Sequence, residues 1–82
     1  MTIRELCEVM RTANRPDAAQ RIESLMDRAY KGQYMDVPQT HDYADRLLSY
    51  LRGIPAIALE MEREGWEYWD EVTKNLKDRR AA

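Results

Sequence analysis

Apolar residues recur at steps of three and four along most of the chain, the spacing that gathers side chains on one face of an α-helix. The pattern is longest from Gly53 to Arg80, where Ile54, Ile57 with Ala58, Met61, Gly65, Tyr68 with Trp69, Val72 and Leu76 share one stripe. A continuous helix from Pro55 to Arg79 would be roughly 36 Å long. Gly65 interrupts it, since a glycine in a helix interior costs about 1 kcal/mol relative to alanine. Two outcomes follow. Either the helix runs through and Gly65 admits a close neighbour, which its place on the stripe favours, or the chain kinks there and Trp66 opens a separate helix.

The earlier elements carry clearer punctuation. Thr2 and Glu5 have the spacing of a capping box and start a first helix, whose stripe is Ile3, Leu6, Cys7 and Met10. A break falls between Thr12 and Arg15, because Asn14 tolerates left-handed backbone and Arg15 precedes a proline. Pro16 suits the first position of a second helix and Asp17 complements its positive end. Its apolar face is Ala18, Ala19, Ile22, Leu25, Met26, Ala29 and Tyr30, and Gly32 is the expected stop. Gln33 to Thr40 reads as a loop that packs back through Tyr34, Met35 and Val37. Thr40 is a candidate cap for a third helix with Asp42 in its first turn, Ala44, Leu47, Leu48 and Leu51 inward, and Tyr43 and Tyr50 on the flanks. Gly53 is expected to end it in the left-handed conformation, with Ile54 folding back and Pro55 opening the last helix.

No segment alternates apolar and polar residues long enough for a half-buried strand. The expected fold is all-α, a compact bundle of about four helices in one domain over residues 1–82, with the C-terminal helix longest.

Composition narrows what such a bundle can do. Cys7 is the only cysteine and lies on an apolar stripe, so no internal disulfide can form, and with His41 it falls short of a four-ligand zinc set. A lone thiol, early charges and the lack of any long apolar run point to a cytoplasmic protein with no membrane span. The net charge of −2, with both signs interspersed, favours neither nucleic acid nor an anionic membrane.

The residues that could carry chemistry are few. His41 and Asp45 are spaced to pair on a helix, yet no activated serine or cysteine has a place beside them, so no catalytic set, metal or cofactor is expected. The acidic row Glu60, Glu64, Glu67 and Glu71, beside Trp66 and Trp69, is the leading candidate for binding a protein partner with a basic surface. The two tryptophans lie about 60° apart around a helix, so one should sit at the edge of the stripe. A non-enzymatic protein-binding module, such as a stoichiometric regulator or inhibitor, is the function this pattern fits, and self-association into a homodimer would also help so small a chain. The alternative is a helix-turn-helix DNA binder using helix two, where Arg21 and Arg28 share a face and Arg11 and Arg15 flank the turn.

Overall fold

A computed structural model describes residues 1–81. Five helices account for its regular structure: α1 (Ile3–Thr12), α2 (Pro16–Tyr30), α3 (Ala44–Leu51), α4 (Pro55–Glu64) and α5 (Trp66–Ala81). The all-α class is as expected, and the count rises by one because the final helix is two.

α1 starts on its capping box. Thr2 Oγ1 accepts from the Glu5 amide at 3.1 Å, and Glu5 Oε1 accepts from the Thr2 amide at 2.8 Å. Asn14 takes the left-handed conformation (φ 61°) in the turn to α2, which Pro16 opens at its first position. At the other end of α2 two residues turn left-handed in succession, Lys31 (φ 55°) and Gly32 (φ 75°), so the reversal begins one residue before the glycine.

The segment from Lys31 to Tyr43 departs further from expectation, because α3 begins at Ala44 rather than beside Thr40 and its N-cap, Tyr43, makes no side-chain cap. Its backbone is tied to α1 instead. The Arg4 amide donates to Met35 O and the Gln39 amide to Met1 O, both at 3.0 Å. Met35 is buried, while Tyr34 and Val37 stay exposed. Gly53 also differs from expectation, being absent from the positive-φ positions. The α3–α4 turn closes with Gly53 N donating to Tyr50 O and Ile54 N to Leu51 O, and extended Ile54 precedes Pro55.

The break at Gly65 is the main correction. Gly65 has φ 96° and ψ 136°, a region that essentially only glycine occupies. A Cβ built there would meet nothing within 4 Å, so the glycine serves the backbone torsion and not the approach of another helix. The bend lets Trp69 reach back. Its Nε1 donates to Met61 O at 3.1 Å, a contact that a straight helix, with eight residues or about 12 Å between the two, would forbid.

One apolar cluster takes side chains from all five helices, with Trp69 fully buried among Ile3, Leu6, Met10, Ile22, Leu25, Leu47, Leu48, Leu51, Ile57 and Met61. α1 packs on α2 and α3, α2 on α4, and α5 on α3 and α4. Arg52 at the end of α3 reaches Asp70 near the start of α5, and Asp45 near the start of α3 reaches Arg80 near the end of α5. These two helices therefore run antiparallel.

Candidate interaction surface

The break at Gly65 divides the acidic row. Glu60 and Glu64 lie on α4, Glu67 and Glu71 on α5. The first pair faces α2. Arg28 Nε donates to Glu60 Oε2 at 3.0 Å, and Arg21 Nε lies 3.0 Å from Glu64 Oε2. The two carboxylates are only 12% and 16% exposed, and Arg63 gives Glu60 a second cation at 3.7 Å. The contact at Glu64 is an ion pair without hydrogen-bond alignment, which leaves Oε2, buried from solvent, with charge compensation but no donor. One step of four on α4 thus matches one step of seven on α2, and the acidic pair and the basic pair neutralise each other.

The other arginines of the α1–α2 hairpin are engaged in the same way. Arg11 pairs with Glu23. Arg15 holds Asp17 and donates to Glu71 Oε1 at 3.0 Å and Asn75 Oδ1 at 2.8 Å, tying the turn to α5. Tyr68 completes this cluster, its hydroxyl donating to Asp17 Oδ2 at 2.5 Å with the Arg21 guanidinium 4.1 Å above its ring. Burial raises the Asp17 carboxyl, but the hydrogen bonds from Tyr68 and Arg15 outweigh it and hold the pKa at about 2, below the ordinary 3.8.

Of the two tryptophans, Trp69 is at 0% exposure and belongs to the core, while Trp66 is 37% exposed and accessible to a partner. Glu67 is exposed beside it, and Glu71 is exposed but paired with Arg15. The proposed set Glu60, Glu64, Trp66, Glu67, Trp69 and Glu71 is therefore not one surface.

Other exposed side chains gather on α3 and at the two ends of its contact with α5. Tyr43, the N-cap of α3, is followed at steps of three and four by Arg46 and Tyr50; Tyr50 lies on the helix face away from Asp45 and Arg52, the residues that meet α5, and the two tyrosines are 48% and 45% exposed. His41 lies against Tyr50 with ring centroids 5.3 Å apart, so it does not pair with Asp45. At one end Arg52 is held over Trp66, its guanidinium 5.1 Å from the ring, by donating to Asp70 Oδ1 at 2.6 Å and to Thr73 Oγ1 at 3.5 Å. At the other end Arg80 grips Asp45 with two hydrogen bonds, 2.8 and 3.1 Å, and stands 4.8 Å from the Tyr43 ring, which Arg46 also approaches at 5.3 Å. Sequence reasoning placed the tyrosines only as flanks of the buried face. Tyr43 and Arg46 were visible as a Tyr-x-x-Arg step, but their meeting with Arg80 depends on α5 lying alongside.

The nucleophile inventory offers little chemistry here. Cys7 is buried against α2, with its Sγ 3.7 Å from Ala19 O, and burial pushes its thiol up to about 12. Among the described residues no three His, Cys, Asp or Glu side chains gather as a metal site, and no helix is long and apolar enough to cross a membrane. No family model, curated protein or solved structure shows significant similarity to the chain.

Proposed function

We propose that the chain is a non-catalytic protein-binding module whose docking face is the α3–α5 seam, with Tyr43, Arg46, Arg52 and Trp66 along it. The carrying observation is the exposure of a tyrosine and a tryptophan at the two ends of this seam, each against an arginine that joins the helices, Tyr43 beside Arg80 and Trp66 beside Arg52. Tyr, Trp and Arg are the types that dominate binding hot spots. Two of the cations are pre-positioned, Arg52 by Asp70 and Arg80 by Asp45, which reduces the ordering cost of association. A stoichiometric regulator or inhibitor is the role such a face supports best, because binding alone would suffice. The DNA-binding alternative has less support, since Arg11, Arg15, Arg21 and Arg28 all face carboxylates of the same chain.

The test is affinity capture by the full chain from its host cells, repeated with Tyr43→Ala, Trp66→Ala, Glu60→Gln and Glu64→Gln. A protein should co-purify in fixed ratio, its recovery should fall with the two aromatic substitutions, and the two α4 substitutions should leave recovery unchanged. A partner whose recovery ignores Tyr43 and Trp66, or the lack of any stoichiometric protein, overturns the reading.

A further inference from the structure

The seam ends in a pocket of about 200 Å³ where α3 and the end of α5 meet α1. Its apolar wall is Met1, Val9, Ala44 and Leu76, and its rim carries Tyr43, Asp42, Asp45, Arg79 and Arg80. Arg46 reaches the same rim through the Tyr43 ring. Lys77 precedes Arg80 by three residues and so flanks it on α5.

The charges of this rim are unequal in their freedom to meet a ligand. Asp45 is buried and doubly hydrogen-bonded by Arg80, so its charge is answered within the fold. Arg46 and Arg79 are exposed and make no ion pair among the described residues. Asp42 faces the N-terminal ammonium at 3.5 Å. Among the described residues the rim therefore keeps two unpaired cations, although the chain as a whole carries −2.

We propose that the partner presents an acidic segment built around one large apolar residue, with the apolar side chain entering the pocket between Val9, Ala44 and Leu76 and the flanking carboxylates meeting Arg46 and Arg79. This rests on the protein-binding reading above and reverses the partner charge that the acidic row suggests. An acidic peptide uses both halves of the site, since apolar burial supplies attraction and guanidiniums match carboxylates in planar pairs. A nucleic-acid strand fits less well, because it brings no aliphatic side chain to the wall formed by Val9, Ala44 and Leu76.

The probes are two synthetic peptides with the same central leucine, one flanked by aspartates and glutamates and the other by lysines, together with a single-stranded DNA oligonucleotide. Each is titrated into the nitrogen-15-labelled full chain and followed by amide chemical shifts. The acidic peptide should move the resonances of Tyr43, Ala44, Arg46, Leu76 and Arg79, and should bind less tightly as salt is raised. The double variant Arg46→Glu/Arg79→Glu should weaken that peptide by about tenfold, the scale of two exposed ion pairs. Arg46→Gln/Arg79→Gln should weaken it less, and unchanged thermal melts would show that both variants fold. Shifts elsewhere, equal response to the lysine peptide, or stronger binding of the oligonucleotide at the same residues overturns the proposal. In the capture experiment, recovery lost with Trp66→Ala but kept with Arg46→Glu/Arg79→Glu rejects the acidic partner alone; recovery indifferent to all of them rejects the docking face itself.

Discussion

The α2–α4 contact and the α3–α5 seam are built from similar ingredients, charged residues at helical spacing beside large side chains, yet they do opposite things with them. Across α2 and α4 the charges face each other, Arg21 to Glu64 and Arg28 to Glu60, and little is left for a partner. Along α3 and α5 the ion pairs fasten some cations in place, Arg52 on Asp70 and Arg80 on Asp45, while Tyr43, Tyr50, Trp66 and Arg46 remain exposed. The difference lies in what stands beside the pairs. Arg21 and Arg28 reach across to largely buried glutamates of α4, whereas Asp45 and Asp70 hold Arg80 and Arg52 against the exposed rings of Tyr43 and Trp66. A helix face rich in charge is thus a poor guide to binding until its partners within the fold are known.

The two tryptophans of α5 give the largest contrast. Trp69→Ala should destabilise the fold by about 3–5 kcal/mol, because it empties the centre of the core. The same substitution also leaves Met61 O without its indole donor. Trp66→Ala removes only a partly exposed ring stacked with Arg52 and should cost about 0.5–1 kcal/mol. Denaturant titrations of the two variants measure the gap. Equal losses would mean that Trp66 is part of the core and not of a docking face.

Gly65→Ala comes next, at about 1–3 kcal/mol, since a side chain at φ 96° is strained whatever space surrounds it. The cost should appear as a lower denaturation midpoint. A neutral or stabilising result would mean that α4 and α5 can join into one helix, which would restore the continuous acidic row and unite Glu60 and Glu64 with Glu67 and Glu71.

Glu64→Gln tests the interior ladder. It should lower stability by about 1 kcal/mol by leaving Arg21 without its anion, and the loss should shrink when Arg21→Gln is made in the same chain. That double-mutant cycle, read from denaturation midpoints, separates a pair that holds helices together from a carboxylate kept for a partner. A coupling indistinguishable from zero would return Glu64 to the list of binding residues.

What the sequence made legible was local. The capping box at Thr2 and Glu5, Pro16 at the start of α2 and the inward stripes of α1, α2 and α3 all act over one or two turns, and the observed helices follow them. Other features depended on contacts between residues far apart in the chain. Thr40 and Asp42 could have capped α3, but the hydrogen bonds from Arg4 to Met35 and from Gln39 to Met1 draw that segment across α1 instead. The stripe through Gly65 was real, since Met61, Trp69, Val72 and Leu76 are all buried, but periodicity survives a bend when both halves pack on one core. Arg21 and Glu64 were each visible as charges. Their pairing required knowing that α2 lies on α4.

The smallest expected effect is also the one that ties the two regions together. Arg15, Asp17, Tyr68 and Glu71 join the α1–α2 turn to α5, and Asp17 is the titrating member, its pKa held at about 2 in the fold against an ordinary 3.8. A carboxylate depressed by folding contributes stability that is complete above its unfolded pKa, near pH 4, and disappears as pH falls through the folded value, near pH 2. Asp17 is nearly half exposed, so solvent screening limits the contribution to about 1 kcal/mol or less. Asp36, Asp45 and Glu5 are also held low, the first two by arginines and the last by the Thr2 amide, and they add acid sensitivity of the same sign. The wild-type slope alone therefore cannot isolate Asp17. The difference between wild type and Asp17→Asn can: the variant should be less stable at neutral pH, and the two curves should converge between about pH 4 and pH 2 as Asp17 protonates. Parallel curves over that interval would mean that the carboxylate is no better placed in the fold than in water, and that α5 is held to the hairpin by the buried stripe alone.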